Sequence, residues 1–336
     1  MTDGKDAADG IWHGGDLATA RTLFGQAPEP WIDLSTGINP VPYPLPAVPL
    51  SLWQRLPGAQ DEARLLEAAR AAYRIRAGDA VLAAPGTQIL IELLPRLLAN
   101  RPSPDVAVLG PTYGEHALSW RKAGARLREI AALSQAGEAD VVVVVNPNNP
   151  DGRIVPPAAL RDLAGGLARR SGLLVVDEAF ADFAPEASLV PTLPEATLVL
   201  RSFGKAYGLA GLRLGFLIGG ARHVVALRDM LGPWAVAGPA LHVGAVALAD
   251  GDWLAQAARE RSRDAARLDA LLRPHGTVVG GTILYRLVAT PEAPELYRAL
   301  GRAGIYVRRF HHDERLLRFG LPSGEAEWAR LAQALC

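Results

Sequence analysis

The stretch Val141-Val142-Val143-Val144-Val145, followed at once by Asn146-Pro147-Asn148-Asn149-Pro150-Asp151-Gly152, decides the fold. Consecutive β-branched residues favour a strand, and a strand with no polar position has a core on both faces. The Asn-Pro and Asp-Gly pairs that follow are turn formers, so the strand ends sharply. Working outward, the same texture recurs. Short apolar, β-branched runs lie at 80–83, 106–109, 173–176, 197–200 and 214–218. Helical patterns fill most of the gaps, at 88–100, 112–123 and 156–170. Apolar strands alternating with helices predict an α/β fold with a mostly parallel sheet covered on both sides. In such a sheet ligands bind at the carboxyl ends of the strands.

Farther out the texture changes. A long helical stretch rich in Ala and Arg is expected over 239–273. Short apolar runs at 278–279, 283–288, 305–307 and 316–319, a helix near 294–303 and a last helix from Gly324 predict a smaller α/β unit. Toward the amino end, Pro28, Pro30, Pro40, Pro42, Pro44, Pro46, Pro49 and Pro57 forbid a long helix or a central strand, so an extended arm is expected. From Asp61 the spacing of Leu65, Leu66, Ala69 and Tyr73 predicts a helix. The expected organisation is an arm and lid over 1–57 that joins the small domain, a large domain over 58–238 and a small C-terminal domain over 239–336. Residues 1–10 are expected to be disordered.

A chain of 336 residues has room for about two domains at roughly 150 residues each. Its 35 basic and 35 acidic residues balance, which argues against a general nucleic-acid or membrane-surface binder, since those need excess cations. No apolar run is long enough to span a bilayer, and the polar first ten residues offer no secretory core. The single cysteine, Cys336, excludes an internal disulfide and a cysteine-based metal site, so a cytoplasmic protein without a metal is expected. Of the 35 basic residues only Lys5, Lys122 and Lys205 are lysines, leaving 32 arginines. A lysine can shed its proton and attack a carbonyl, which arginine cannot do.

The strand ends carry the chemistry. The run at 141–145 ends in the Asn149 turn, the run at 173–176 in Asp177-Glu178-Ala179-Phe180, and the run at 197–200 in Arg201-Ser202-Phe203-Gly204-Lys205. Ala206-Tyr207-Gly208-Leu209-Ala210-Gly211-Leu212-Arg213 follows. An amide, an acid, a lysine and an arginine would therefore converge at one sheet edge.

Asn149-Pro150-x-Gly152, Asp177-Glu178-Ala179 and Ser202-x-x-Lys205-x-x-Gly208-Leu209-x-Gly211-x-Arg213-x-Gly215 together resemble the aminotransferase class I/II family of pyridoxal-phosphate enzymes, fold type I. The resemblance implies a large domain with a mostly parallel mixed sheet and a smaller α/β domain. It implies that Lys205 bonds covalently to the cofactor aldehyde and that Asp177 faces the pyridine nitrogen and keeps it protonated. Asn149 would bond the ring hydroxyl. Ser202, Arg213 and the Gly86-Thr87-Gln88 turn would hold the phosphate, the turn through backbone N–H groups at a helix start. Tyr113 resembles the aromatic residue that stacks on the ring.

The segment His13-Gly14-Gly15-Asp16 with Ile32-Asp33-Leu34-Ser35-Thr36-Gly37-Ile38-Asn39-Pro40 resembles one branch of that family. That branch decarboxylates L-threonine O-3-phosphate to (R)-1-aminopropan-2-yl phosphate and CO2 in cobalamin biosynthesis. It is related to histidinol-phosphate aminotransferases, which are the alternative reading. A small phosphorylated amino acid is thus the implied substrate. Arg318 matches the family's substrate-binding arginine and Arg308 a second one near a substrate phosphate, and guanidinium suits both anions. His13, Gly14 and Asn39 are lid candidates. The resemblance also implies a homodimer.

Three positions depart from the family pattern. Phe180 stands where many relatives carry a tyrosine that bonds the ring hydroxyl. Leu56 stands where relatives carry a tyrosine that reaches the partner subunit's cofactor phosphate, with Tyr43 as the candidate replacement. Asp151 replaces a usual threonine.

Overall fold

In a computed structural model, which describes residues 13–336, the five valines form a strand with every residue buried. Lys5 and the 1–10 segment lie outside the described residues. By their internal contacts these residues fall into two units. One comprises the described part of 1–41 with 150–152 and 256–336, and the other comprises 42–149 with 153–255.

The first strand, β1 (Ile32–Leu34), belongs to the first unit. The second unit holds the others up to β8: β2 (Ala80–Ala84), β3 (Asp105–Leu109), β4 (Arg126–Ile130), β5 (Val141–Val145), β6 (Leu173–Asp177), β7 (Thr197–Ser202) and β8 (Gly215–Gly219). They form a seven-stranded sheet in the order β2-β8-β7-β6-β5-β3-β4. The pairs from β7 through β4 are parallel, while β8 runs antiparallel to both β7 and β2. Alternate residues face opposite cores. Val142, Val144, Leu174, Val176, Val199 and Phe216 pack with Leu65, Ala69, Leu160 and Leu241. Val141, Val143, Leu173, Val175, Leu198 and Leu217 pack with Leu90, Ile91, Trp120 and Val224. Each such fully buried side chain contributes about 1.5–3 kcal/mol of transfer free energy, which is why the runs 141–145, 173–176 and 198–200 are apolar throughout.

The strand β4 escapes the sequence pattern because it is an edge strand. Arg126, Arg128 and Glu129 break its apolar run, as charge on an exposed edge commonly does. The helix expected over 88–100 is α-helical only over Thr87–Leu93 and tightens into a 3₁₀ turn over Leu94–Leu98. Pro95 has no N–H to give the Ile91 carbonyl, and Ser119 Oγ donates to that carbonyl instead at 2.8 Å. The single long helix expected over 239–273 is two helices, Gly238–Ala249 and Gly251–Leu272. Asp250 separates them, accepting from the Trp253 N–H through Oδ1 and from Tyr43 Oη through Oδ2.

The same detail moves the unit boundaries away from 57 and 238. Ala240, Leu241, Ala247 and Leu248 share one core with Leu65, Ala69 and Tyr43, so 42–57 and 239–255 pack with the seven-stranded sheet.

The other unit carries a five-stranded sheet in the order β1-β11-β12-β10-β9, from β9 (Thr277–Thr282), β10 (Tyr285–Ala289), β11 (Ile305–Arg309) and β12 (Leu316–Gly320). The β1–β11 pair is parallel and the rest antiparallel. The extended arm therefore contributes an edge strand. Ile32, Leu34, Leu268, Tyr297, Leu300, Val307, Phe319 and Trp328 form its core. Residues 150–152 join this unit by close backbone approach. Gly281 N donates to Asp151 O at 2.7 Å, and a side chain on Gly152 (φ +71°) would overlap the Gly281 carbonyl.

Candidate active site

Asn146, Asp177 and Ser202 sit at or just past the carboxyl ends of the adjacent strands β5, β6 and β7, where an open α/β sheet binds ligands. The backbone continues the ladder past the strands: Asn146 N donates to Asp177 O and Glu178 N to Leu200 O. Lys205 lies one short helical turn beyond β7, half-buried, with Nζ 5.9 Å from the centre of the Phe180 ring. That turn folds back tightly, because a Cβ on Gly204 would stand 2.7 Å from Ala210 Cα.

Asp177 is buried and held by two donors. Its Oδ1 accepts from Ala179 N at 3.0 Å, and its Oδ2 lies 2.9 Å from His116 Nε2. His116 is fully buried. Donation from His116 Nε2–H fixes the carboxylate plane and leaves acceptor capacity for one further N–H. The sequence reading missed His116. Its only sequence signal is a position one helical turn after Tyr113.

Of the three asparagines after β5, two are brackets. Asn146 bonds Val155 and Ala187 backbone groups, and Asn148 accepts from Thr112 Oγ1 and donates to Pro111 O. The Asn148 bonds tie the 111–113 loop to the loop carrying Asn149, which is half-buried. Tyr113 is half-buried too; its Oη donates to Gln88 Oε1 at 3.1 Å, and its ring meets that of His116 edge-on.

Glycines open a cradle at the ends of β2, β7 and β8. Gly215 pairs with Ala84 on one side and Ser202 on the other. A Cβ on Gly215 would stand 2.7 Å from Thr87 N, and one on Gly86 (φ +82°) 2.7 Å from Arg213 Nη2. Backbone N–H groups, the Ser202 hydroxyl and the exposed Arg213 guanidinium thus meet where added side chains would fill the space. This is a donor set for a phosphate. With a lysine just past the end of β7 and a fixed carboxylate at the end of the adjacent β6, the residues fit pyridoxal phosphate. The Gln88 side chain bonds Tyr113 and Glu115.

Behind the strand ends lies a buried charge cluster with no role in the sequence reading. Arg201 bonds Glu178 at 2.9 Å and Asp182 at 2.7 Å, with its Cζ 4.4 Å from the Tyr73 ring centre. Burial pushes both carboxyls above their ordinary range, and the Arg201 charge between them holds part of that rise back. The cluster joins the residue after Asp177 to the strand that leads to Lys205. Tyr43 is also bound inward, donating to Asp250 and packed on Trp253 and Tyr207, so it does not replace the tyrosine missing at Leu56.

The other unit holds all the substrate-binding candidates. Arg318 on β12 is buried and stands opposite Arg308 on β11 in the strand register. Its Nη2 donates to Ser35 O at 2.7 Å, and its Cζ lies 4.9 Å from the Tyr285 ring centre. Burial, with the Arg308 charge beside it, pushes the Arg318 pKa down to about 9. Ser35 Oγ donates to Asp33 and accepts from Gly15 N, and any side chain on Gly14 would overlap the Ser35 carbonyl. His13 is exposed. Asn39 is buried, and its Oδ1 accepts from Val41 N and Arg261 Nη1.

Among the described residues no cluster of His, Cys, Asp and Glu could hold a metal ion, and no helix is long and apolar enough to cross a membrane.

Residues 59–335 match the family model described as aminotransferase class I and II. The chain is 46% identical over 332 residues to a threonine-phosphate decarboxylase from a Sinorhizobium species, covering 97% of both chains. It is 44% identical over 328 residues to the threonine-phosphate decarboxylase of Pseudomonas aeruginosa, covering 96% of both. The crystal structure of histidinol-phosphate aminotransferase from Sinorhizobium meliloti in complex with pyridoxal-5'-phosphate shares the fold, with a TM-score of 0.80 at 21% identity, covering all of this chain and 97% of that one. The α/β architecture is therefore that of the fold type I enzymes, and the chain belongs to the aminotransferase class I and II family.

Proposed function

We propose that the protein is a pyridoxal-phosphate-dependent lyase that decarboxylates L-threonine O-3-phosphate to (R)-1-aminopropan-2-yl phosphate and CO2, the linker precursor of the cobalamin nucleotide loop. The observation that carries this reading is the 44–46% identity, over nearly the whole chain, to proteins named threonine-phosphate decarboxylase. When bound, the cofactor supplies a protonated ring that accepts the electron pair of a bond broken at the substrate Cα.

The residues divide that work. Lys205 Nζ would hold the cofactor's aldehyde carbon, and Asp177, fixed by Ala179 N–H and His116, would keep the ring nitrogen protonated. Asn149 would bond the ring hydroxyl, Ser202, Arg213 and the 86–88 turn the phosphate, and Tyr113 the ring face. Arg318 and Arg308 would take the substrate's anions. Two like charges opposite each other on adjacent strands destabilise the empty sheet, and bound anions offset that cost. Anion placement also selects the reaction, because the bond at Cα held perpendicular to the ring is the one that breaks. Lys205 Nζ would also return a proton to the substrate Cα. His13, Gly14 and Asn39 would close over the substrate.

We further infer a cytoplasmic homodimer. Leu45, Leu50 and Trp53 are each 67% exposed and Leu56 is 63% exposed, all within the one segment 45–56. A second copy of the chain is the occupant the reading assigns to them. The lone exposed thiol, Cys336, asks for no oxidising compartment.

The assignment is tested by comparing kcat/KM for L-threonine O-3-phosphate, L-threonine and histidinol phosphate. The phosphorylated threonine is expected to lead by orders of magnitude. Preference for histidinol phosphate with a required oxo acid would overturn the assignment.

A further inference from the structure

Tyr113, Gln88 and Glu115 form a chain of hydrogen bonds with only one self-consistent direction. Glu115 lies in the first turn of the helix Gly114–Lys122 and is buried. Its Oε2 is 3.0 Å from Gln88 Nε2, and Gln88 Oε1 is 3.1 Å from Tyr113 Oη. A carboxylate only accepts hydrogen bonds, so the amide must turn its NH₂ toward Glu115. The amide oxygen then faces Tyr113 and can only accept, so the tyrosine hydroxyl must donate. Rotating the amide by half a turn would set two acceptors face to face at Glu115.

We propose that Glu115 is a positioning residue for Tyr113, acting through Gln88 to fix the direction of the tyrosine hydroxyl and the tilt of the ring that covers the cofactor. The ring is held at its hydroxyl and at its edge. Its hydroxyl is anchored on Gln88, and its edge meets His116, with centroids 6.2 Å apart at 85°. A ring fixed this way keeps its stacking geometry without help from the ligand, which lowers the ordering cost of binding. The carboxylate thus affects cofactor affinity while touching neither the cofactor nor the substrate. The inference rests on Tyr113 as the stacking residue and is independent of which substrate the enzyme takes.

The test is a double-mutant cycle on the loaded enzyme: wild type, Glu115→Gln, Tyr113→Phe and the pair. The readouts are the pyridoxal phosphate dissociation constant and the visible circular dichroism of the bound cofactor. Glu115→Gln keeps the shape but lets either amide rotate. It should weaken cofactor binding about fivefold, the value of one hydrogen bond, and reduce the dichroic band. In the Tyr113→Phe background the same substitution should change neither readout, since no hydroxyl remains to direct. Gln88→Met, which removes both bonds at similar volume, should reproduce the Glu115→Gln effect. An equal loss with and without the Tyr113 hydroxyl would overturn the proposal, as would no loss in the wild-type background. If Tyr113→Phe alone left both readouts unchanged, the hydroxyl bond would not position the ring and the proposal would fall, while the stacking assignment would stand.

Discussion

His116 Nε2 lies 2.9 Å from Asp177 Oδ2, although 61 residues separate them in the chain. The contact, with the Ala179 N–H, holds the acidic side chain in place. Replacing His116 with Leu would remove one charge-assisted bond and leave the Asp177 carboxylate freer to turn. We expect kcat to fall about 10- to 100-fold, from a bond of roughly 1.5–3 kcal/mol, with a smaller change in KM. Steady-state kinetics on the loaded enzyme check this.

Arg318 is a desolvated cation beside a second one, so an anion should stabilise the folded protein even without chemistry. Sulfate or inorganic phosphate at about 100 times its dissociation constant should raise stability by about 2.7 kcal/mol. Thermal melts should show a rise in Tm for the wild type and little or none for Arg318→Met. Equal rises in both would place the anion elsewhere.

Arg201 balances two buried carboxylates, so Arg201→Leu should cost about 3–5 kcal/mol of stability at neutral pH. Losing the cation raises the folded-state pKa values of Glu178 and Asp182 further, beyond the rise that burial already imposes. Between the unfolded and the raised folded values the native variant binds more protons than the unfolded chain, so its stability falls as pH rises. The deficit against wild type should therefore be fully present above the raised values and shrink as pH falls toward 5. Denaturant melts at pH 5 and pH 8 measure it.

Gly14 rests on the Ser35 carbonyl that also accepts from Arg318. A Cβ there must push the 13–15 segment away. Gly14→Ala should raise KM about tenfold, a cost near 1.4 kcal/mol, while the far-ultraviolet spectrum stays that of the wild type.

Trp53 is 67% exposed on the apolar segment assigned to a second copy. Trp53→Asp places a charge there and should shift the sedimentation coefficient of a wild-type dimer toward that of a monomer. A wild type that sediments as a monomer would contradict the dimer directly.

The five valines and the Lys205 loop were legible in the sequence because their information is local. A strand buried on both faces must read as a continuous apolar run, and a tight loop around a reactive lysine needs glycine at named positions such as Gly204. His116, Arg201 and Ser35 were not legible in the same way. Their roles come from partners 61, 23 and 283 residues away, and periodicity carries no such pairing. The break at Asp250 was hidden because a single capping aspartate looks like any solvated acid within an alanine- and arginine-rich run. Which of Asn146, Asn148 and Asn149 serves as a bracket became clear only once the loops at 111–113 and 153–155 were in place.

The stoichiometry of CO2 release tests decarboxylation most directly. Purified protein loaded with pyridoxal phosphate would be given L-threonine O-3-phosphate with no oxo acid present, and CO2 and aminopropanol phosphate counted per active site. Many equivalents of both, in equal amounts, are expected from the wild type, and none from Lys205→Ala. A single equivalent of oxo acid, no CO2 and a cofactor left carrying the amino group would contradict decarboxylation and identify a transaminase.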